Sequence, residues 1–169
     1  MNRLLALLAV LFALAAPACT NLLVGKKASK NGACFITYSA DSYGMYGRML
    51  HYPAGKHAPG TMRKIVDGDT HKPLGEIPEA PYTYNVVGNI NEHQVAITET
   101  TFGGREELWP KNPVGGIDYV SLMALGLQRA KTAREAIRVM TDLVARYGYA
   151  SEGESFSEIG RASCRERVF

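Results

Sequence analysis

The junction Ala16-Pro17-Ala18-Cys19 constrains the fold of this 169-residue chain more than any other feature. Upstream of it lie one basic residue, Arg3, and a continuous apolar run over residues 4–16. A short positive start, an apolar stretch and a small-x-small ending are the three parts of a secretory leader. The run is shorter than the roughly 20 apolar residues of a membrane-spanning helix, and no stop-transfer flank follows it. Residues 1–18 therefore read as a signal peptide, and the mature chain as an exported protein, periplasmic or extracellular. Cleavage after Ala18 makes Cys19 the first residue, carrying a thiol and a free α-amine together. A domain that uses such a residue has to hold its own N-terminus in place.

The next residues supply a means of doing so. Residues 20–24 are short and apolar, and a polar turn ending in Asn31-Gly32 follows, a strong hairpin signal. Residues 34–39 (Cys-Phe-Ile-Thr-Tyr-Ser) have the β-branched and aromatic content of a strand. A hairpin of the two fixes Cys19 at a sheet end. Asp41 leaves the second strand, where a carboxylate is equally a turn former or a group beside the site.

Further along, residues 45–52 carry Arg48 and His51 among Tyr, Met and Gly, a composition that suits ordinary packing or the lining of a pocket. Residues 62–67 read as a strand, and residues 68–81 as a long, Pro-punctuated connection. Residues 84–90 and 94–100 form two strand-like runs joined by Asn91-Glu92-His93, with Val95 and Ile97 alternating with polar neighbours. After them, Thr101-Phe102-Gly103-Gly104-Arg105 is a loop whose backbone N–H groups can face a developing oxyanion. From Asp118 the period becomes helical. Asp118 suits the cap of a first helix, and Thr132 with Glu135 makes a capping box for a second that stops at Gly148. Two amphipathic helices need a sheet to cover, which makes a mixed α and β domain.

Composition excludes several classes. Setting aside Arg3, Arg161, Arg165 and Arg167 leaves 15 of the 19 basic residues, and setting aside Glu166 leaves 15 of the 16 acidic ones. A neutral middle offers no electrostatic footprint for nucleic acid. Three cysteines make no disulfide framework. His51, His57, His71 and His93 lack metal-ligand spacing, so neither a metal nor another cofactor is expected. Residues 158–169 show no periodicity and three closely spaced arginines, and their wording resembles a sequencing adapter translated in frame. They are expected to be non-native, leaving residues 19–157 as the native domain. A cysteine behind a leader is also the acylation point of a lipoprotein. That signal prefers a bulky aliphatic residue three places earlier, where Ala16 stands, and Pro17 is awkward for it.

Cys19-Thr20, Val24-Gly25-Lys26-Lys27-Ala28-Ser29, His51-Tyr52-Pro53-Ala54-Gly55, Asn89-Ile90-Asn91-Glu92, Glu99-Thr100-Thr101-Phe102-Gly103-Gly104-Arg105 and Tyr149-Ala150-Ser151-Glu152-Gly153-Glu154 together span almost the whole mature chain. In these segments the sequence resembles the cysteine dipeptidases (dipeptidase A-like) of the N-terminal nucleophile hydrolase superfamily, relatives of penicillin V acylase and bile salt hydrolase. The resemblance implies an α+β fold, the four-layer αββα sandwich, of which this chain holds the N-terminal portion. It implies hydrolysis of dipeptides, with small peptides as substrates and no cofactor, and a chain holding only the N-terminal portion is expected to be inactive by itself. The family's nucleophile maps to Cys19 and its acidic residue after the second strand to Asp41. The place of the relatives' oxyanion asparagine falls near Thr101. An arginine common two places before that aspartate is absent, since Ser39 stands there, and a downstream asparagine lies beyond the end of the sequence. Two alternatives stand beside this reading: an acylase on the same scaffold, and a lipid-anchored binding protein acylated at Cys19.

Overall fold

The computed structural model describes residues 19–41, 49–105, 107, 115–160 and 163–168. The leader and Arg48 lie outside the described residues. The chain opens in a hairpin, β1 (Thr20–Val24) antiparallel to β2 (Phe35–Ser39), with Thr20 opposite Ser39. Asn31-Gly32 lies in its turn, where Gly32 takes φ 70°, a left-handed value that costs glycine nothing.

Short strands follow: β3 (His51–Tyr52), β4 (Gly55–Lys56), β5 (Met62–Val66), β6 (Pro73–Pro78), β7 (Tyr82–Thr83), β8 (Val86–Val87) and β9 (Ile90–Asn91). Then come the long strand β10 (Ala96–Gly103), helices α1 (Tyr119–Arg129) and α2 (Ala133–Tyr147), and strands β11 (Gly153–Gly160) and β12 (Ser163–Val168). The main sheet runs β12-β11-β10-β9-β8-β3, and β4-β7 and β5-β6 are separate ribbons. Mostly sheet with a helical layer, the chain is α+β.

Three segments differ from the sequence expectation. Strand β10 runs on to Gly103, so Thr101, Phe102 and Gly103 are strand rather than loop, paired with β11 as far as Gly103 opposite Gly153. The connection over residues 68–81 contains β6, antiparallel to β5 around a tight turn in which Asp67 Oδ1 accepts the N–H groups of Asp69 and Thr70. Its buried residues, Leu74 and Ile77, are three apart because Gly75 (φ 144°) interrupts the alternation, and prolines bound the strand at each end. The run over residues 84–90 is likewise broken. Gly88 (φ 55°) turns the chain between β8 and β9, so Ile90 is exposed whereas Val86 is buried. The residues after Ser157 continue β11 as far as Gly160, and β12 pairs with it from Ser155 opposite Val168 to Gly160 opposite Ser163.

The core lies between the main sheet and the helices. Ile97 and Phe156 from β10 and β11 meet Leu122, Leu125 and Met140, all of them buried. Gly126 allows the close approach: a Cβ there would stand 3.0 Å from Met140 and 3.1 Å from Ile97. Thr132 Oγ1 accepts the Glu135 N–H and caps α2, while the Glu135 carboxylate accepts from Lys131 N–H. Asn91, buried in β9, donates from Nδ2 to the carbonyls of Leu127 and Ala130 and so fastens the C-terminal end of α1 to the sheet.

Candidate active site

Directly opposed residues on antiparallel strands share a face of the sheet. On β10 and β11 these pairs are Ile97 with Glu158, Glu99 with Phe156, and Thr101 with Glu154. The helices cover the end of that face near Ile97. Near Thr101 the helical cover stops, and the polar members of the row, Glu99, Thr101 and Glu154, look towards the start of the chain.

The β1–β2 hairpin crosses this end of β10. Asn21 Nδ2 donates to the Glu99 carbonyl and to Thr100 Oγ1, both at 2.7 Å, and the Tyr38 hydroxyl donates to Glu99 Oε1 at 2.5 Å. The result is that Cys19, the residue before β1, is half-buried beside Glu99. Its thiol is pushed up by burial first, and the Glu99 carboxylate adds to this by charge and by a hydrogen bond. The backbone N–H groups of Asp41 and Thr101 point at the sulfur and pull the other way. Cys19, Asp41 and Thr101, the three residues singled out from the sequence, thus line one cavity of about 430 Å3. Gly104, just past the end of β10, spends its N–H on the Phe102 carbonyl, so the backbone donors to the sulfur are those of Asp41 and Thr101.

Glu99, Glu154 and Tyr38 are the site residues that sequence reasoning passed over. Glu99 and Glu154 are each 1% exposed. The Thr101 hydroxyl donates to Glu154 Oε1 at 3.0 Å and lies 3.4 Å from Glu99 Oε2, so it bridges the two carboxyl groups. Burial, then the hydrogen bond and charge of Glu99, hold the Glu154 carboxyl up at about 9, with the Thr101 hydroxyl opposing. Glu154 therefore keeps its proton at neutral pH. The Tyr38 hydroxyl is pushed up by burial and by Glu99, and it stays a donor.

The rest of the cavity wall comes from two other elements. The β5–β6 turn supplies Asp67, Asp69 and Thr70, and the segment around the start of β11 supplies Ser151, Glu152 and Glu154. Tyr119, at the first turn of α1, closes the wall and donates its hydroxyl to Asp69 at 3.3 Å. Three of the four histidines are engaged elsewhere: His51 with Asn85, His57 with Thr83, and His93 edge-on to the Tyr84 ring. Among the described residues, no group of three or more His, Cys, Asp or Glu side chains is placed to hold a metal ion.

The model of peptidase family C69 matches residues 45–161. The chain belongs to this family. The match takes in Glu99, Thr101 and Glu154 and starts downstream of Cys19 and Asp41. A C69 assignment also accords with a relative, a "Probable dipeptidase" of Latilactobacillus sakei, 31% identical over 150 residues. That alignment covers 79% of this chain and 31% of the relative, so the chain spans about a third of the relative's length.

Proposed function

We propose that the protein is an exported peptidase that hydrolyses dipeptides, with Cys19 as an N-terminal nucleophile exposed by removal of residues 1–18. The observation that carries this reading is the Cys19 sulfur on the wall of a cavity shared with Asp41 and Thr101, in a chain of a peptidase family. The four-layer αββα sandwich is the architecture that goes with it, the main sheet and its two helices supplying one sheet layer and one helical layer.

An α-amine titrates near 7.7–8.0, well below a lysine, so part of it is a free base at pH 7. Once Ala18 is gone, the Cys19 amine takes the thiol proton, directly or through water. The sulfur then attacks the peptide carbonyl, a C–S bond forms, and charge develops on the carbonyl oxygen, for which the backbone N–H of Thr101 is the candidate donor. Collapse breaks the C–N bond, and the leaving amine takes the proton held by the α-ammonium. Water hydrolyses the thioester and regenerates the thiol. Asp41 holds the ammonium form in place. The leader has to go because an acylated nitrogen is no base.

Cys19→Ser in the full-length mature protein should keep its fold by circular dichroism and lose at least ~10³-fold of its dipeptide turnover, the scale of nucleophile removal in other hydrolases. Unchanged turnover would remove Cys19 from the mechanism. Mass spectrometry of the exported product should show a free N-terminal cysteine. A mass increased by two acyl chains would instead make the protein a lipid-anchored one.

A further inference from the structure

We propose, resting on the reading of Cys19 as the nucleophile, that Glu99 is its positioning residue: the Glu99 carboxylate holds the Cys19 sulfur at the Thr101 N–H, and Tyr38, Thr101 and Glu154 hold the carboxylate. Glu99 lies within β10 and is 1% exposed. Among the described residues it makes no salt bridge, and its partners are neutral donors from β2, β10 and β11. The Tyr38 hydroxyl reaches Oε1 at 2.5 Å, the Thr101 hydroxyl stands 3.4 Å from Oε2, and the protonated Glu154 carboxyl hydrogen-bonds to it. The Cys19 thiol is a further donor. Asn21 donates to the Glu99 carbonyl at 2.7 Å, so the hairpin that carries Cys19 is anchored to the same residue. A carboxylate buried without a cation is costly to keep. Strand pairing needs none of it, since β10 and β11 are joined through their backbones.

The other titratable groups around this point are Asp41 after β2, Tyr119 from α1, and Tyr149 and Glu152 ahead of β11. The β5–β6 turn adds Asp67 and Asp69 to the same cavity wall. Tyr38, Tyr119 and Tyr149 are all pushed up, by burial first, and remain hydroxyls. No lysine, arginine or histidine is among the described residues lining the cavity. The charge acting on the thiol is that of Glu99. It works in two ways. As an acceptor for the S–H it fixes the sulfur at the N–H groups of Asp41 and Thr101. As a charge it disfavours a thiolate formed alone and favours the α-ammonium that arises when the thiol proton passes to the amine of the same residue. The S–H bond breaks, an N–H bond forms, and Glu99 stays a carboxylate throughout. Deprotonation of the sulfur is thereby tied to the free N-terminus.

The test reads the sulfur directly. In the full-length mature protein, iodoacetamide alkylation of Cys19 is followed against pH by mass spectrometry of the N-terminal peptide. Cys34, the other free cysteine of the described residues, is the internal control. Glu99→Gln keeps the size of the side chain and an acceptor for Tyr38, and it removes the charge beside the thiol. Burial, the first cause of the raised Glu154 carboxyl, is untouched by it. The Cys19 midpoint should move down by about one pH unit, with about tenfold faster alkylation below it, and kcat should fall ~10- to 100-fold at nearly constant KM. Tyr38→Phe takes a donor from Glu99 and leaves its charge less compensated, so the same midpoint should move up. A side chain that only fills the core would move neither. An unchanged Cys19 midpoint in Glu99→Gln would overturn the proposal, as would a Tyr38→Phe midpoint that stays or falls. Should Glu99→Gln fail to fold, the direction in Tyr38→Phe decides alone. Persistent turnover in Cys19→Ser would defeat the nucleophile reading, and the alkylation midpoints would still report whether Glu99 governs the thiol.

Discussion

Glu154 is where pH should act on this molecule. In the unfolded chain its carboxyl titrates near 4.5, and in the folded chain burial and Glu99 raise it to about 9. Between those values the folded protein holds a proton that the unfolded chain releases, so stability falls as pH rises from about 5 to about 9. Glu154→Gln keeps an acceptor for Thr101, offers an N–H to Glu99, and removes the titration. Its thermal midpoint should decline less across that window, and at pH 8 it should be more stable than the parent by over ~1 kcal/mol, since each tenfold change in proton affinity on folding is worth about 1.4 kcal/mol. A pH profile identical to the parent's would mean that Glu154 is ionised when folded. The sequence exposed some of this site. Cys19 is marked by the leader in front of it, and the strand-end positions of Asp41 and Thr101 could be read from local pattern. Glu99 left a signal of a weaker kind, a carboxylate in step with Val95 and Ile97 and two places after the latter, in a buried register. Glu154 left none, because the hydroxyl that defines its role is 53 residues away.

Among the elements, α1 does more than cover the sheet. Its cap, Asp118, is 1% exposed, and Oδ2 accepts from the N–H groups of Val120 and Ser121 and also from Gly68 in the β5–β6 turn. The helix start therefore holds the turn that carries Asp67 and Asp69 into the cavity. Asp118→Ala should cost about 1–2 kcal/mol in chemical denaturation, the loss of a cap, and should also weaken alanyl-alanine binding by freeing Gly68. Thr132→Ala removes the cap of α2 at similar cost, about 1 kcal/mol, and should leave that binding alone. Equal effects on binding would mean that the Gly68 tether does not position the acids. Both caps and both helix faces were legible because helical period and capping are local. Strand β6 was not, since Gly75 disturbs the alternation by which strands are recognised, and the break between β8 and β9 depends on a left-handed Gly88 that composition alone does not fix.

At the scale of the whole molecule the α+β class followed from pattern, whereas the sheet order did not, because β10 and β11 pair across the two intervening helices. That long-range pairing builds the polar row of the site. The same architecture sets how the chain should behave in solution. Leu22 and Phe35 lie on the face of the β1–β2 hairpin opposite Asn21 and Tyr38, and they are 60% and 50% exposed. Ile90 and Phe102 add exposed apolar area on the main sheet. Acidic and basic residues balance over most of the chain, so charge repulsion between copies is weak, and exposed apolar strands are sites of association. The mature chain should therefore associate at tens of micromolar, about the range in which exposed edges and apolar surface drive aggregation, with light scattering reporting a mass above the monomer's. Leu22→Lys with Phe35→Lys puts two like charges on the outer hairpin face, away from Glu99, and should shift the chain towards monomer while leaving alanyl-alanine binding unchanged. A parent chain that is already monomeric at these concentrations would show that the hairpin face is not an association surface.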